Sequence, residues 1–284
     1  MMKIVITGAS GQLGKELTQI FKDKGYEVIP LDKKQLDITN QTKIKQMMLD
    51  IQPDCLINTG AFTQVDLCET EIEKAYLING IGPYYLACEA KEKKIKFFHI
   101  STDYVFNGEK AEPYIEEDSP NPKTIYGKSK QLGETLTLAA YENTTIIRTS
   151  WLYGHEGKNF VNIIKKLASQ TQEIRVVYDQ YGCPTYTKDL GLAIESLLTK
   201  PHGIYHITNS GSCSWCEFAN EIVTFLKSQT VVIPVSTEEY GLKTPRPVYS
   251  VLSHKKLNSK GIFLRNWKEA LHEFLKKEDD SSEN

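Results

Sequence analysis

Hydrophobic positions in the first half of the chain follow two alternating patterns. Short unbroken apolar runs, "KIVIT", "YEVIPLD", "CLIN", "KFFHIS" and "TTIIRTS", are separated by stretches whose apolar residues recur every three or four positions. In "GQLGKELTQIFKDKG" these are Leu13, Leu17, Ile20 and Phe21. Continuous runs predict strands covered on both faces, and the wider spacing predicts helices with one covered face. Gly25 closes the first helix, Pro53-Asp54 punctuates "KIKQMMLDIQ", and a longer helix is expected over about 73–93. Strand-helix alternation of this kind predicts an α/β fold, a Rossmann-type doubly wound parallel sheet.

After Ser150 the rhythm loosens. "FVNIIKKLAS", "TKDLGLAIESLLT" and "SWCEFANEIVTFL" have helical periodicity, the last opened by Ser212 or Ser214; "EIRVVYD" and "GIYHITN" have strand character, and "NWKEALHEFLKK" is a final helix. This predicts a smaller mixed α/β lobe. The expected division is a sheet domain at 1–150 plus roughly 186–208, a second lobe at 151–185 and 209–276, and a flexible acidic tail at 277–284.

The totals narrow the function classes. A chain of 284 residues is near the size at which one core divides in two. A net charge of -2 lacks the basic excess of a nucleic-acid binder. The opening apolar run stops at Thr7-Gly8, too short for a signal peptide or membrane span. Six cysteines form no disulfide framework, and the "CSWC" pair, Cys213 and Cys216, lacks the second pair a zinc site requires. The expectation is a reduced, cytoplasmic protein with no metal.

Two patterns carry chemistry. "TGASGQLG" places Gly8, Gly11 and Gly14 between the first strand and helix, where they allow a tight turn, backbone approach to a pyrophosphate and close helix packing. Asp32 ends the second strand, where an acid can hold the ribose hydroxyls of NAD, while Lys33 and Lys34 can accept the extra phosphate of NADP. Both NADH and NADPH stay open. In "TIYGKSK", Tyr126 and Lys130 stand four apart and share one helical face. A cation beside a tyrosine stabilises the phenolate, by about 1.4 kcal/mol per pKa unit, so Lys130 is expected to lower Tyr126.

"TGASGQLG", "LDITN", "NTGAFTQVDLCE", "ISTDYVFNG", "YGKSK", "IIRTSWLYG" and "DQYGCPTY" resemble, in that order, the extended short-chain dehydrogenase/reductases, and within them the dTDP-4-dehydrorhamnose reductase family. The resemblance implies NAD(P)H-dependent reduction of the 4-keto group of a dTDP-sugar, dTDP-4-dehydro-L-rhamnose. It implies a catalytic trio of Thr102, Tyr126 and Lys130. Gly8, Gly11, Gln12 and Leu13 would hold the pyrophosphate, and Asp37 and Ile38 would border the adenine. Gly60, Ala61 and Thr63 would line the cofactor, with Asn79 supporting the site through a helix. Asp103, Tyr104, Trp151 and Asn159 would face the sugar nucleotide, and Arg246 would contact a phosphate. Trp151 and Tyr153 can equally be core by alternation, Arg246 can equally be an exposed turn, and His99 reads as a packed histidine.

Related dehydratases carry an Asp-Glu pair after the Ser/Thr; here Thr102-Asp103-Tyr104 lacks the second acid. An epimerase and a non-catalytic, cofactor-binding regulatory subunit remain as alternatives. Some members bind magnesium through glutamates at a dimer interface. Glu16 matches the first of these, but Lys188 occupies the second position, which predicts no metal and a monomer or weak homodimer.

Overall fold

The computed structural model describes residues 1–282, with side chains described to residue 277. Six strands form one parallel sheet: β1 (Lys3–Thr7), β2 (Glu27–Leu31), β3 (Cys55–Asn58), β4 (Lys96–Thr102), β5 (Thr144–Thr149) and, later in the chain, Gly203–His206. Their order is β2-β1-β3-β4-β5 followed by Gly203–His206. The chain runs outward from β1 to β2 and then returns past β1 to β3, so the order reverses between β1 and β3. The carboxyl ends of strands at such a reversal form the ligand crevice of an open α/β sheet.

Alternation along the strands assigns the faces. Ile4 and Ile6 of β1, Cys55 and Ile57 of β3 and Phe98 of β4 pack with Leu13, Leu17 and Phe21 of helix α1 (Gln12–Asp23) and with Leu190 and Ile194 of the helix Thr187–Leu197. Val5, Leu56 and Phe97 point the other way, onto Ile44 and Met48 of α2 (Gln41–Ile51) and Leu86 of α3 (Gly82–Lys93). Leu257 and Ile262, expected with the second lobe, return to the first of these faces.

The expected helix over 73–93 is interrupted. A short α-helical turn, Ile72–Tyr76, passes through a π-turn at Leu77–Ile81 before α3 begins. Helix α4 (Ile125–Ala140) starts at Thr124, whose hydroxyl accepts from the Gly127 amide. A separate core, away from the sheet, is built from α5 (Phe160–Ala168), Trp215–Phe225 and Trp267–Ser282. Ser214 caps Trp215–Phe225 in a reciprocal capping box with Glu217. Beside it Glu173–Val177 pairs in parallel with Val231–Val235, a strand not among those expected from the sequence. The polar end expected to be flexible is helical to Ser282, and Glu283 and Asn284 lie outside the described residues. Among the described residues no helix is long and apolar enough to cross a membrane.

Candidate active site

The turn after β1 forms the floor of the crevice. Gly8 has φ +70°, and a Cβ there would come within 2.5 Å of the Gly60 backbone. Only glycine lets the β1 and β3 loops close on each other. Gly11 caps α1 with no side-chain acceptor, leaving the first-turn amides open toward the crevice. Gly11, Gln12 and Leu13 line one end of a cleft of about 450 Å³, and Ala61 and Thr63 line its side. Ile38 is buried against Gly60 and Gly82, behind that wall.

Two expected cofactor residues are tied up locally. Asp32 Oδ1 accepts from the Gln35 amide at 2.9 Å, while the Gln35 side chain accepts from the Asp32 amide. Asp37 accepts from the Thr39 amide and hydroxyl, and the backbone bond is the main reason its carboxyl lies below the ordinary value. Lys33 and Lys34 are exposed beside them.

Asn79 does not reach the cleft. It is fully buried in the π-turn, where it accepts from the Phe62 amide at 2.8 Å and donates to the Phe62 carbonyl and Ser129 hydroxyl. Ser129 in turn donates to the Tyr126 carbonyl at 2.8 Å. The π-turn thereby clamps the β3 loop to the start of α4, and such turns concentrate at functional sites.

At the far end of β4, Thr102, Tyr126 and Lys130 come together along one wall of the cleft. The Thr102 hydroxyl donates to Asp103 Oδ1 at 3.0 Å and accepts from the Tyr104 amide at 3.2 Å. Thr102 lies beside the Tyr126 phenol, and the Tyr104 ring meets the Tyr126 ring edge-on at 5.5 Å. Burial raises the Tyr126 phenol, with the Thr102 bond opposing. The lowering expected from Lys130 is not found: burial dominates, and the Lys130 ammonium is turned to the Ile100 carbonyl at 2.6 Å. Burial pushes Lys130 down to about 8, against the pull of Glu134. Burial likewise pushes Asp103 up to about 6, against bonds from Ser250 and Thr102. Its Oδ2 is buried with no hydrogen-bond partner among the described residues.

The remaining expected contacts diverge. Trp151 lines the cleft with backbone φ +46°, stacked on Trp215 with ring centroids 3.5 Å apart. Its other neighbour is Gly182, where a Cβ would lie 2.5 Å from the indole, so the glycine of "DQYG" makes room for the ring. Tyr153 is core. Asn159 does not line the cleft: it caps α5 and donates to Gln12 Oε1 at 3.1 Å and the Gly154 carbonyl. Arg246 bonds Asp66 at 2.8 Å and lines a second, apolar cavity of about 290 Å³ with Arg175 and Gln180. Tyr104 and Trp215 border both cavities, so the two are adjacent.

Among the lining residues that the sequence does not single out are Trp215 and Lys158. Trp215 sits inside "CSWC", at the start of the expected helix; both thiols are buried in the apolar core and raised by burial. His99 is fully buried beside Asn58. Lys188 pairs with Glu273 at 2.7 Å, while Glu16 accepts from Thr187. No cluster of three metal-ligating side chains occurs among the described residues.

The family model described as RmlD substrate binding domain matches residues 2–279. A spore coat polysaccharide biosynthesis protein, SpsK of Bacillus subtilis, is 54% identical over 97% of this chain and 97% of its own length. A dTDP-4-dehydrorhamnose reductase of Aggregatibacter actinomycetemcomitans is 38% identical over 95% of this chain and 97% of its own. The crystal structure of a Bacillus anthracis dTDP-4-dehydrorhamnose reductase in complex with NADP superposes with a TM-score of 0.95 at 42% identity, covering 98% of this chain and all of that one.

Proposed function

Because the chain belongs to the RmlD substrate binding domain family, we propose that it is an NADPH-dependent reductase that takes dTDP-4-dehydro-L-rhamnose to dTDP-L-rhamnose. The observation that carries this is the meeting of Thr102, Tyr126 and Lys130 at the carboxyl end of β4, in the same cleft as the open amides of α1. The likeness to a spore coat polysaccharide protein fits a product used in surface polysaccharide.

The donor set fits a dinucleotide. Amides at Gly11–Leu13 suit the pyrophosphate, and exposed Lys33 and Lys34 suit a 2′-phosphate better than the bonded Asp32 suits a free ribose. When bound, the reduced cofactor supplies a hydride to the ketone carbon. Tyr126 gives its hydroxyl proton to the ketone oxygen, so C=O becomes CH–OH with both hydrogens accounted for. A phenol raised by burial is fully protonated at working pH, the form reduction needs. Lys130 holds positive charge beside the phenolate left behind. Thr102 positions the ketone oxygen once its hydroxyl turns from Asp103. The adjacent apolar cavity takes the nucleotide, with Arg246 at its diphosphate. With Lys188 committed to Glu273, the protein works without magnesium as a monomer or weak homodimer.

The test is the fall in NADPH absorbance when purified protein meets dTDP-4-dehydro-L-rhamnose. Stoichiometric oxidation with formation of dTDP-L-rhamnose is expected. No oxidation, with NADPH still bound, would favour a cofactor-binding subunit.

A further inference from the structure

Behind Lys130 lies a line of buried polar groups that the proposed chemistry does not use. Thr7, Asn58 and His99 are all fully buried, on β1, β3 and β4. The Gly60 amide donates to Asn58 Oδ1 at 3.0 Å, and the Thr7 hydroxyl donates to the same oxygen at 2.7 Å. A backbone N–H can only donate, so the atom facing Gly60 must be the amide oxygen. The Asn58 nitrogen therefore faces His99 Nδ1, 3.0 Å away. An amide NH₂ also only donates, so Nδ1 must be bare. The imidazole then carries its proton on Nε2, the nitrogen 3.5 Å from Lys130 Nζ.

We propose that His99 is a positioning residue for Lys130: locked with its Nε2–H toward the lysine, it loosens that side chain's hold on its proton and so sets the upper pH limit of catalysis. This rests on the reading of Lys130 as part of the reductase site. An N–H facing an ammonium sets donor against donor, whereas facing a neutral amine it meets a lone pair. The bond dipole therefore favours the uncharged lysine. Burial acts in the same direction, and it holds His99 well below its ordinary pKa, which keeps the ring neutral. The other ionisable groups around Lys130 are Tyr126 and Glu134 on its own helix and Asp103 beyond β4; Glu134 is bound to Arg148 of β5. The lock starts at Gly60, whose backbone packs against Gly8, so one line of contacts runs from the cofactor turn to the lysine.

Nitrogen-15 NMR of histidine-labelled protein tests the lock without turnover, His99 being assigned by the signal lost in His99→Gln. A bare Nδ1 and protonated Nε2 are expected; the opposite tautomer overturns the proposal. Asn58→Asp replaces the donor with an acceptor of the same shape, which draws the ring proton to Nδ1 and leaves Nε2 to accept from Lys130. The His99 signature should then invert. The Lys130 midpoint, followed by carbon-13 at Cε, should rise by roughly one pH unit, with the alkaline limb of kcat/KM following. An inverted ring with an unmoved lysine midpoint overturns the proposal, since a merely structural histidine gives that result. A moved midpoint in a protein that does not reduce the dTDP-sugar upholds the inference and removes the reductase reading instead. Should Asn58→Asp fail to fold, the Lys130 midpoint in His99→Leu decides: loss of the ring N–H should raise it, and an unmoved midpoint overturns the proposal.

Discussion

A single hydroxyl hydrogen limits what Thr102 can do. In this structure it is donated to Asp103, while the oxygen accepts from Tyr104, so Thr102 cannot at the same time donate to a substrate ketone. Tyr126 carries the transferable proton. Tyr126→Phe keeps the ring and its edge contact with Tyr104 but deletes that proton. Turnover should fall at least ~100-fold while NADPH affinity stays within about twofold; NADPH oxidation and a fluorescence titration measure the two separately. Full turnover in this variant would remove Tyr126 from the mechanism. The Tyr126–Lys130 pair was legible because a four-residue spacing is local and survives any tertiary arrangement. Trp215 was not: its place against Trp151 joins segments 64 residues apart, and nothing near "CSWC" reports that stack.

The elements that position the site show the same division. The strands were legible from their apolar runs, and the glycine turn from its place between strand and helix. The π-turn was not, because its register shift depends on Asn79 meeting Phe62 and Ser129 in three dimensions. A second buried histidine of the sheet gives a prediction at this scale. His206, on Gly203–His206, faces the Tyr114 carbonyl with Nδ1 and Arg148 with Nε2. Burial and then the Arg148 charge push it down to about 3 from an ordinary 6.5. Below pH 6.5 the unfolded chain takes up a proton here that the folded chain refuses, so this residue costs stability as pH falls from about 6.5 toward 3. Asp103, raised to about 6, acts oppositely between 3.8 and 6, which is why a difference measurement is needed. His206→Gln retains an N–H for Tyr114 but does not titrate. Thermal melts from pH 7 to pH 4.5 should show this variant losing less stability on acidification than the parent. Parallel curves would mean His206 titrates alike in both states.

Across the whole molecule, the cleft is held from both rims by bonds between the sheet and the second lobe. Asn159 reaches Gln12 and Glu156 reaches Lys15 on one rim; Arg246 reaches Asp66 on the other. None of these pairs was legible, since their partners lie more than 140 residues apart and polar residues carry no periodic signal. The strand Val231–Val235 escaped for a similar reason, being paired 58 residues away. The Arg246–Asp66 pair has two distinguishable roles. If Arg246 is there for a diphosphate, Asp66 only holds the guanidinium until the substrate arrives; if the pair exists to close the rim, both partners matter equally. The Arg246 side chain is 14% exposed and Asp66 66%, so the carboxylate is the readily surrendered partner. Arg246→Ala should then raise KM for the dTDP-sugar by ~10-fold or more, the worth of one charge-assisted bond, with kcat little changed. Asp66→Ala should leave KM equal or lower, because the guanidinium no longer has a competitor. Equal rises in KM for both variants, measured by steady-state NADPH oxidation, would assign Arg246 to the rim and leave the diphosphate to another cation.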